Sequence, residues 1–113
     1  MRAVSPRCAG TQASTSSIHT SPAWTPKSVN DTFGHGVGDA VLAEVGSTIY
    51  AVFSKAGYCY RIGGDEFCVI AQISDTAAEK YLSEFLRELT ARRVKNEHLP
   101  HVSVGYACFN PVL

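Results

Sequence analysis

Between residues 39 and 53 the apolar residues Val41, Leu42, Val45, Ile49, Val52 and Phe53 recur at helical spacing. The pattern predicts an amphipathic helix, with Asp39 placed to cap or charge its N-terminus and Gly57 to end it. Residues 58–62 and 66–73 are rich in β-formers and flank Gly63-Gly64, which predicts a hairpin whose tight turn needs positive φ. A two-residue turn there sets Arg61 opposite Glu66, Tyr60 opposite Phe67 and Cys59 opposite Cys68, within disulfide reach. A four-residue turn over 63–66 sets Arg61 against Cys68 instead. Thr76 with Glu79 resembles a capping box opening a second helix, with Tyr81, Leu82, Phe85, Leu86 and Leu89 as its apolar stripe and Arg92, Arg93 and Lys95 at its C-terminal end. Val102, Val104, Tyr106 and Cys108 alternate over a last strand. The order helix, hairpin, helix, strand predicts a mixed α/β (α+β) fold, an antiparallel hairpin in a central sheet flanked by helices.

The first 28 residues break this pattern. They contain no Asp or Glu, and 13 of the 28 are Ser, Thr or Pro. Only Ile18 and Trp24 offer much to a core. Residues 1–26 are therefore expected to be disordered or loosely draped, with one globular unit over 27–113. Ten basic residues balance ten acidic ones, and the pI is near 6.9. That balance lacks the basic footprint of a nucleic-acid binder. No apolar run is longer than that over 67–71, far short of the roughly 20 residues that span a bilayer. Cys8, Cys59, Cys68 and Cys108 form no C-x-x-C pair, so a structural zinc site is not expected. With no apolar stretch of a secretory signal at the start, the expected setting is the reducing cytoplasm.

The chemistry concentrates in two segments. Residues 30–39 form a polar, Gly-rich stretch, expected as a loop feeding a helix N-terminus; alone it is a weak signal. Arg61-Ile62-Gly63-Gly64-Asp65-Glu66-Phe67 places two adjacent carboxylates after two glycines. Adjacent like charges repel, glycines leave open backbone for a ligand, and hard divalent cations prefer such oxygen donors with substrate phosphates completing the shell. On the hairpin alone, a solvated turn with two surface acids is an equal alternative.

Together the two segments resemble the GGDEF family, the diguanylate cyclases. The signature stands unaltered as Gly63-Gly64-Asp65-Glu66-Phe67, and Lys27, Val29, Asn30, Asp31, Gly34, His35, Gly38 and Asp39 are similar to the family's K-x-[IV]-N-D-x-x-G-H-x-x-G-D segment. Val102-Ser103-Val104-Gly105-Tyr106 resembles a later strand of the family. The resemblance implies a nucleotide-cyclase-like fold and condensation of two GTP to cyclic di-GMP with pyrophosphate release, each domain of a homodimer holding one GTP. It implies Mg2+ or Mn2+ at Asp65 and Glu66, with Asp65 also able to deprotonate the attacking hydroxyl. Close approach of GTP at Gly63 and Gly64, guanine contacts at Asn30 and Asp39, and a triphosphate contact at Lys27 follow from the same resemblance. His35 matches a structural turn position. Each assignment has a plainer alternative: Asp39 as a helix cap, Asn30 as an Asx-turn, Lys27 as a solvated cation.

The departures carry equal weight. Just before Lys27 the family has a buried strand ending in two spaced acids, the first a metal ligand; here residues 21–26 read Ser-Pro-Ala-Trp-Thr-Pro. The family's opening and closing helices also have no counterpart, so the resemblance implies a GGDEF fold incomplete at both ends, and the abrupt change of composition near Lys27 suggests a mis-set reading frame or start site. The hairpin is then expected to lack a neighbouring strand, and the chain by itself to be inactive. The family's R-x-x-D feedback site corresponds to Ser54-Lys55-Ala56-Gly57, which predicts weak cyclic di-GMP binding. The alternative functions are a degenerate module that binds GTP or a partner without catalysis, or a non-functional truncated product. An upstream sensor domain is expected in the parent protein.

Overall fold

In the computed structural model, residues 2–4, 13–20 and 25–109 are described. They form β1 (Arg2–Val4), β2 (Ala13–Thr20), α1 (Pro26–Phe33), α2 (Val37–Phe53), β3 (Gly57–Arg61), β4 (Glu66–Ala71), α3 (Asp75–Lys95) and β5 (Val102–Phe109). The five strands make one sheet in the order β1-β5-β2-β4-β3. β1 runs parallel to β5, and every other pair is antiparallel.

The central position of β2 departs from the expectation of disorder where the chain is described, over 13–20. Over 13–20 the chain is neither disordered nor draped: it pairs with β4 on one side and β5 on the other. β2 thus adds a strand to the sheet of the unit expected over 27–113. The hairpin strand β4 has a neighbour, contrary to the expected bare edge, and β3 is the outer strand. A polar composition suffices here because both ladders satisfy the backbone of β2 and Thr is β-branched. Ser16, Ile18 and Thr20 share one face and are buried, Ile18 completely. Trp24 lies outside the described residues.

That face carries the core. Ile18 lies opposite Phe67 and Val104, and the cluster continues into Val41, Leu42, Val45, Ile49 and Phe53 of α2 and Phe85 and Leu89 of α3. Both helical stripes thus read correctly, except that Leu86 is exposed. On the other face Tyr58, Tyr60 and Ile70 are exposed.

Several boundaries moved. α3 opens on Ser74, whose hydroxyl accepts from the Ala77 N–H at 3.1 Å, so the Thr76–Glu79 box is not formed. Helix α2 stops at Phe53, and Gly57 begins β3 rather than ending the helix. At Gly57 a Cβ would fall on the Ile70 carbonyl oxygen and lie 2.7 Å from Ala71 Cα, which explains a strand that starts on glycine.

Candidate functional site

The first polar segment feeds a helix N-terminus as expected, but only 34–36 is loop: 30–33 close α1 and 37–39 open α2. Thr25 and Ser28 form a reciprocal capping box and Pro26 occupies the first turn, a strong start signal for a segment with a single buried residue, Val29. Two turns later Gly34 and Gly36, at φ 116° and 88°, reverse the chain into α2. The two helices meet closely: a Cβ on Gly38 would lie 2.5 Å from the Pro26 carbonyl oxygen.

Asn30 locks this turn. Its Oδ1 accepts from the Gly38 backbone N–H at 2.6 Å, satisfying a free donor of the α2 N-terminus across eight residues. The bond is not a local Asx-turn, and it brings Asn30 to the residue preceding Asp39. Asp39 does not cap α2; Gly36 holds that position without a side-chain bond, and Asp39 is an exposed acid in the first turn. Its charge still suits the positive helix end. Lys27 projects from α1 and pairs with Asp31 at 3.0 Å, both largely exposed.

The second segment is a hairpin loop of three residues, Gly63, Gly64 and Asp65. The N–H groups of Ile62 and Gly63 both donate to the Glu66 carbonyl, at 2.8 and 3.3 Å. The register is one step from either sequence expectation: Arg61 faces Phe67, Tyr60 faces Cys68, and Cys59 faces Val69. Cys59 and Cys68 therefore point to opposite faces of the sheet, and both are free thiols. Burial pushes both thiols above their ordinary pKa, and the nearby Glu66 charge adds to the effect at Cys68.

Two side chains whose roles were not legible in the sequence hold the loop. Arg61 donates from Nε to the Gly63 carbonyl at 3.2 Å and from Nη2 to the Gly64 carbonyl at 2.7 Å. Thr20, at the end of β2, donates its hydroxyl to Asp65 Oδ2 at 2.6 Å. Neither glycine needs its conformational freedom, since neither has positive φ. Neither is crowded: a Cβ on Gly64 would meet nothing within 4 Å, and one on Gly63 would meet only Glu66, at 3.7 Å. The pair leaves a bare stretch of backbone beside two carboxylates.

The donor set bears on a metal. Among the described residues no cluster of three or more His, Cys, Asp or Glu exists, so Asp65 and Glu66 cannot form a closed cage. Carboxylates are the kind of oxygen donor a hard cation takes, with water and phosphate oxygens completing its shell. A cavity of about 270 Å³ between α2 and β3, walled by Leu42, Gly46, Tyr50, Cys59 and Phe67, contains no carboxylate and adjoins the loop only through Arg61. Among the described residues no helix is long and apolar enough to cross a membrane.

The family model described as "Diguanylate cyclase, GGDEF domain" matches residues 26–112. The chain belongs to the GGDEF family. A diguanylate cyclase of Vibrio cholerae is 33% identical over 76 residues, covering 65% of this chain and 24% of that protein. The probable diguanylate cyclase DgcC of Escherichia coli K12 is 37% identical over 90 residues, covering 75% and 24%. The GGDEF domain of DgcB from Caulobacter crescentus, solved in complex with c-di-GMP, matches with a TM-score of 0.72 at 30% identity, over 92% of this chain and 63% of that one. The active GGEEF domain of a Vibrio cholerae diguanylate cyclase shares the fold at a TM-score of 0.71 and 22% identity, over 90% and 65%. This GGDEF chain therefore spans about a quarter of the length of these curated relatives and under two-thirds of the solved domains.

Proposed function

We propose that this GGDEF chain binds GTP with a divalent cation, Mg2+ or Mn2+, and that its parent protein condenses two GTP into cyclic di-GMP. The bare Gly63-Gly64 backbone carries the reading. Glycines that neither φ nor packing requires, set against two carboxylates, suit a ligand that must lie on the main chain. The triphosphate would rest there, with Asp65 and Glu66 holding the cation, which neutralises phosphate charge and so favours attack at phosphorus. Lys27 stands on α1 as a further phosphate contact.

The base would meet Asn30 and Asp39. With one lone pair of its oxygen committed to Gly38, Asn30 has both amide N–H donors to offer a ligand. Asp39 offers only acceptors. One donor beside one acceptor matches the O6 and N1–H edge of guanine and opposes the reversed edge of adenine. Condensation would join the nucleotides of two domains, so a GGDEF homodimer is the working unit, under a sensor domain elsewhere in the parent and in the cytoplasm. This chain by itself would bind nucleotide without turnover: with two carboxylates and no third gathered beside them among the described residues, positioning is too loose, and about 1 Å of misplacement can cost 100-fold in rate.

Gly64→Ala tests the reading. The added methyl has free space in the fold, so the melting temperature should hold or rise slightly. GTP affinity in Mg2+, measured by calorimetry, should fall at least tenfold. Equal GTP binding by Gly64→Ala and the parent chain, or equal binding of GTP and ATP, would refute it.

A further inference from the structure

We propose that Thr20 is the positioning residue for Asp65, an inference that rests on the GTP-binding reading and names how its metal-facing acid is held. Asp65 stands on a three-residue loop, where a carboxylate has no intrinsic reason to keep one rotamer. The bond from Thr20 Oγ1 to Asp65 Oδ2, at 2.6 Å, spans 45 residues of sequence. The Thr20 N–H also reaches the Asp65 carbonyl at 3.4 Å. Thr20 is only 6% exposed, and β-branching stiffens its χ1. It lies at the end of the central strand, gripped by β5 through the Thr20–Val102 pair. The hydroxyl is therefore a fixed point of the sheet rather than a mobile surface group. Its bond leaves Oδ1 without a partner among the described residues, so Asp65 presents one oriented oxygen.

A polar hydroxyl buried at this place is otherwise costly, and its donation to an ionised acceptor is the strong kind of hydrogen bond. Partners that orient a metal-facing carboxylate typically change metal affinity 10- to 100-fold when removed. Thr20 acts through Asp65 and is not itself a ligand in this arrangement. The consequence is specific: loss of the hydroxyl should weaken cation-dependent nucleotide binding and leave cation-free binding alone.

The experiment compares the 113-residue chain with Thr20→Val, which keeps the shape and removes the hydroxyl, and Thr20→Ser, which keeps the hydroxyl. GTP binding is measured by calorimetry with Mn2+ and again in EDTA, and Mn2+ occupancy by electron paramagnetic resonance. Thr20→Val should lose about tenfold in Mn2+-dependent GTP affinity, with binding in EDTA unchanged, and Thr20→Ser should restore the parent value. In an Asp65→Asn background Thr20→Val should have no further effect. If Thr20→Val does not fold, Thr20→Cys, close in size and a poor donor, carries the same comparison. Parent-like Mn2+ dependence in the hydroxyl-free variant overturns the proposal, as do equal losses with and without Mn2+. Absence of Mn2+-dependent GTP binding in the parent chain overturns the GTP reading itself, and this inference with it.

Discussion

Asn30 joins a structural bond to a proposed ligand contact in one side chain. Its oxygen accepts from the Gly38 N–H, and its amide nitrogen is the donor group the proposed base contact would use. Asn30→Asp separates the two roles. The carboxylate still accepts from Gly38 and suits the positive end of α2, so stability should hold. The donor is lost and a negative charge joins Asp39, so GTP affinity should fall about 10- to 100-fold, the equivalent of one charge-scale hydrogen bond. Calorimetry beside a thermal melt reads both effects. Asp39 carries a parallel test. Since it caps nothing, Asp39→Ala should cost little stability, within the few tenths to about 1 kcal/mol of a helix-end charge, while weakening GTP binding. A stability loss alone would mark Asp39 as a dipole partner only.

The two thiols add a pH dependence at the same scale. Their pKa values are raised in the folded chain by burial, so the unfolded chain deprotonates first as pH rises. Their contribution is therefore intact below the ordinary thiol value of 9.0 and declines above it. Urea unfolding at pH 8 and pH 10 should show a smaller alkaline loss in a Cys59→Ala, Cys68→Ala double variant than in the parent chain.

Among the elements, α1 depends most on its ends. Eight residues with one buried side chain are too few to hold a helix by burial. The Thr25–Ser28 box and contact with α2 must do so. Thr25→Ala should cost about 1 kcal/mol in urea unfolding, and Gly38→Ala about 1–3 kcal/mol, because its methyl meets the Pro26 backbone, which cannot rotate away. These features also explain what periodicity could read. α2 and α3 bury long apolar stripes and were legible. α1 buries one valine amid polar residues, so its glycine-rich exit dominated and a loop was expected. The hairpin was legible from β-formers around Gly63-Gly64, but its register was not. The loop closes on the Glu66 carbonyl, with Arg61 gripping both glycine carbonyls, and that clamp has no signature in local turn rules.

For the whole molecule, the expected feedback behaviour follows from the site at 54–57. Ser54, Lys55, Ala56 and Gly57 offer neither the arginine nor the acid of the family's feedback motif, and the backbone of β4 blocks any side chain at Gly57. Calorimetry should find cyclic di-GMP binding weaker than micromolar. Sub-micromolar binding abolished by Lys55→Ala would reverse that expectation. By itself the sequence determined the two long helices, the hairpin and the family, because those depend on spacing within one turn or one motif. Tertiary structure alone decided that a Ser- and Thr-rich stretch becomes the central strand, that Cys59 and Cys68 face apart, and that Thr20 holds Asp65. Each of these rests on backbone pairing or a hydrogen bond between distant segments, and a strand flanked on both sides can be polar because its neighbours, not its own side chains, satisfy its backbone.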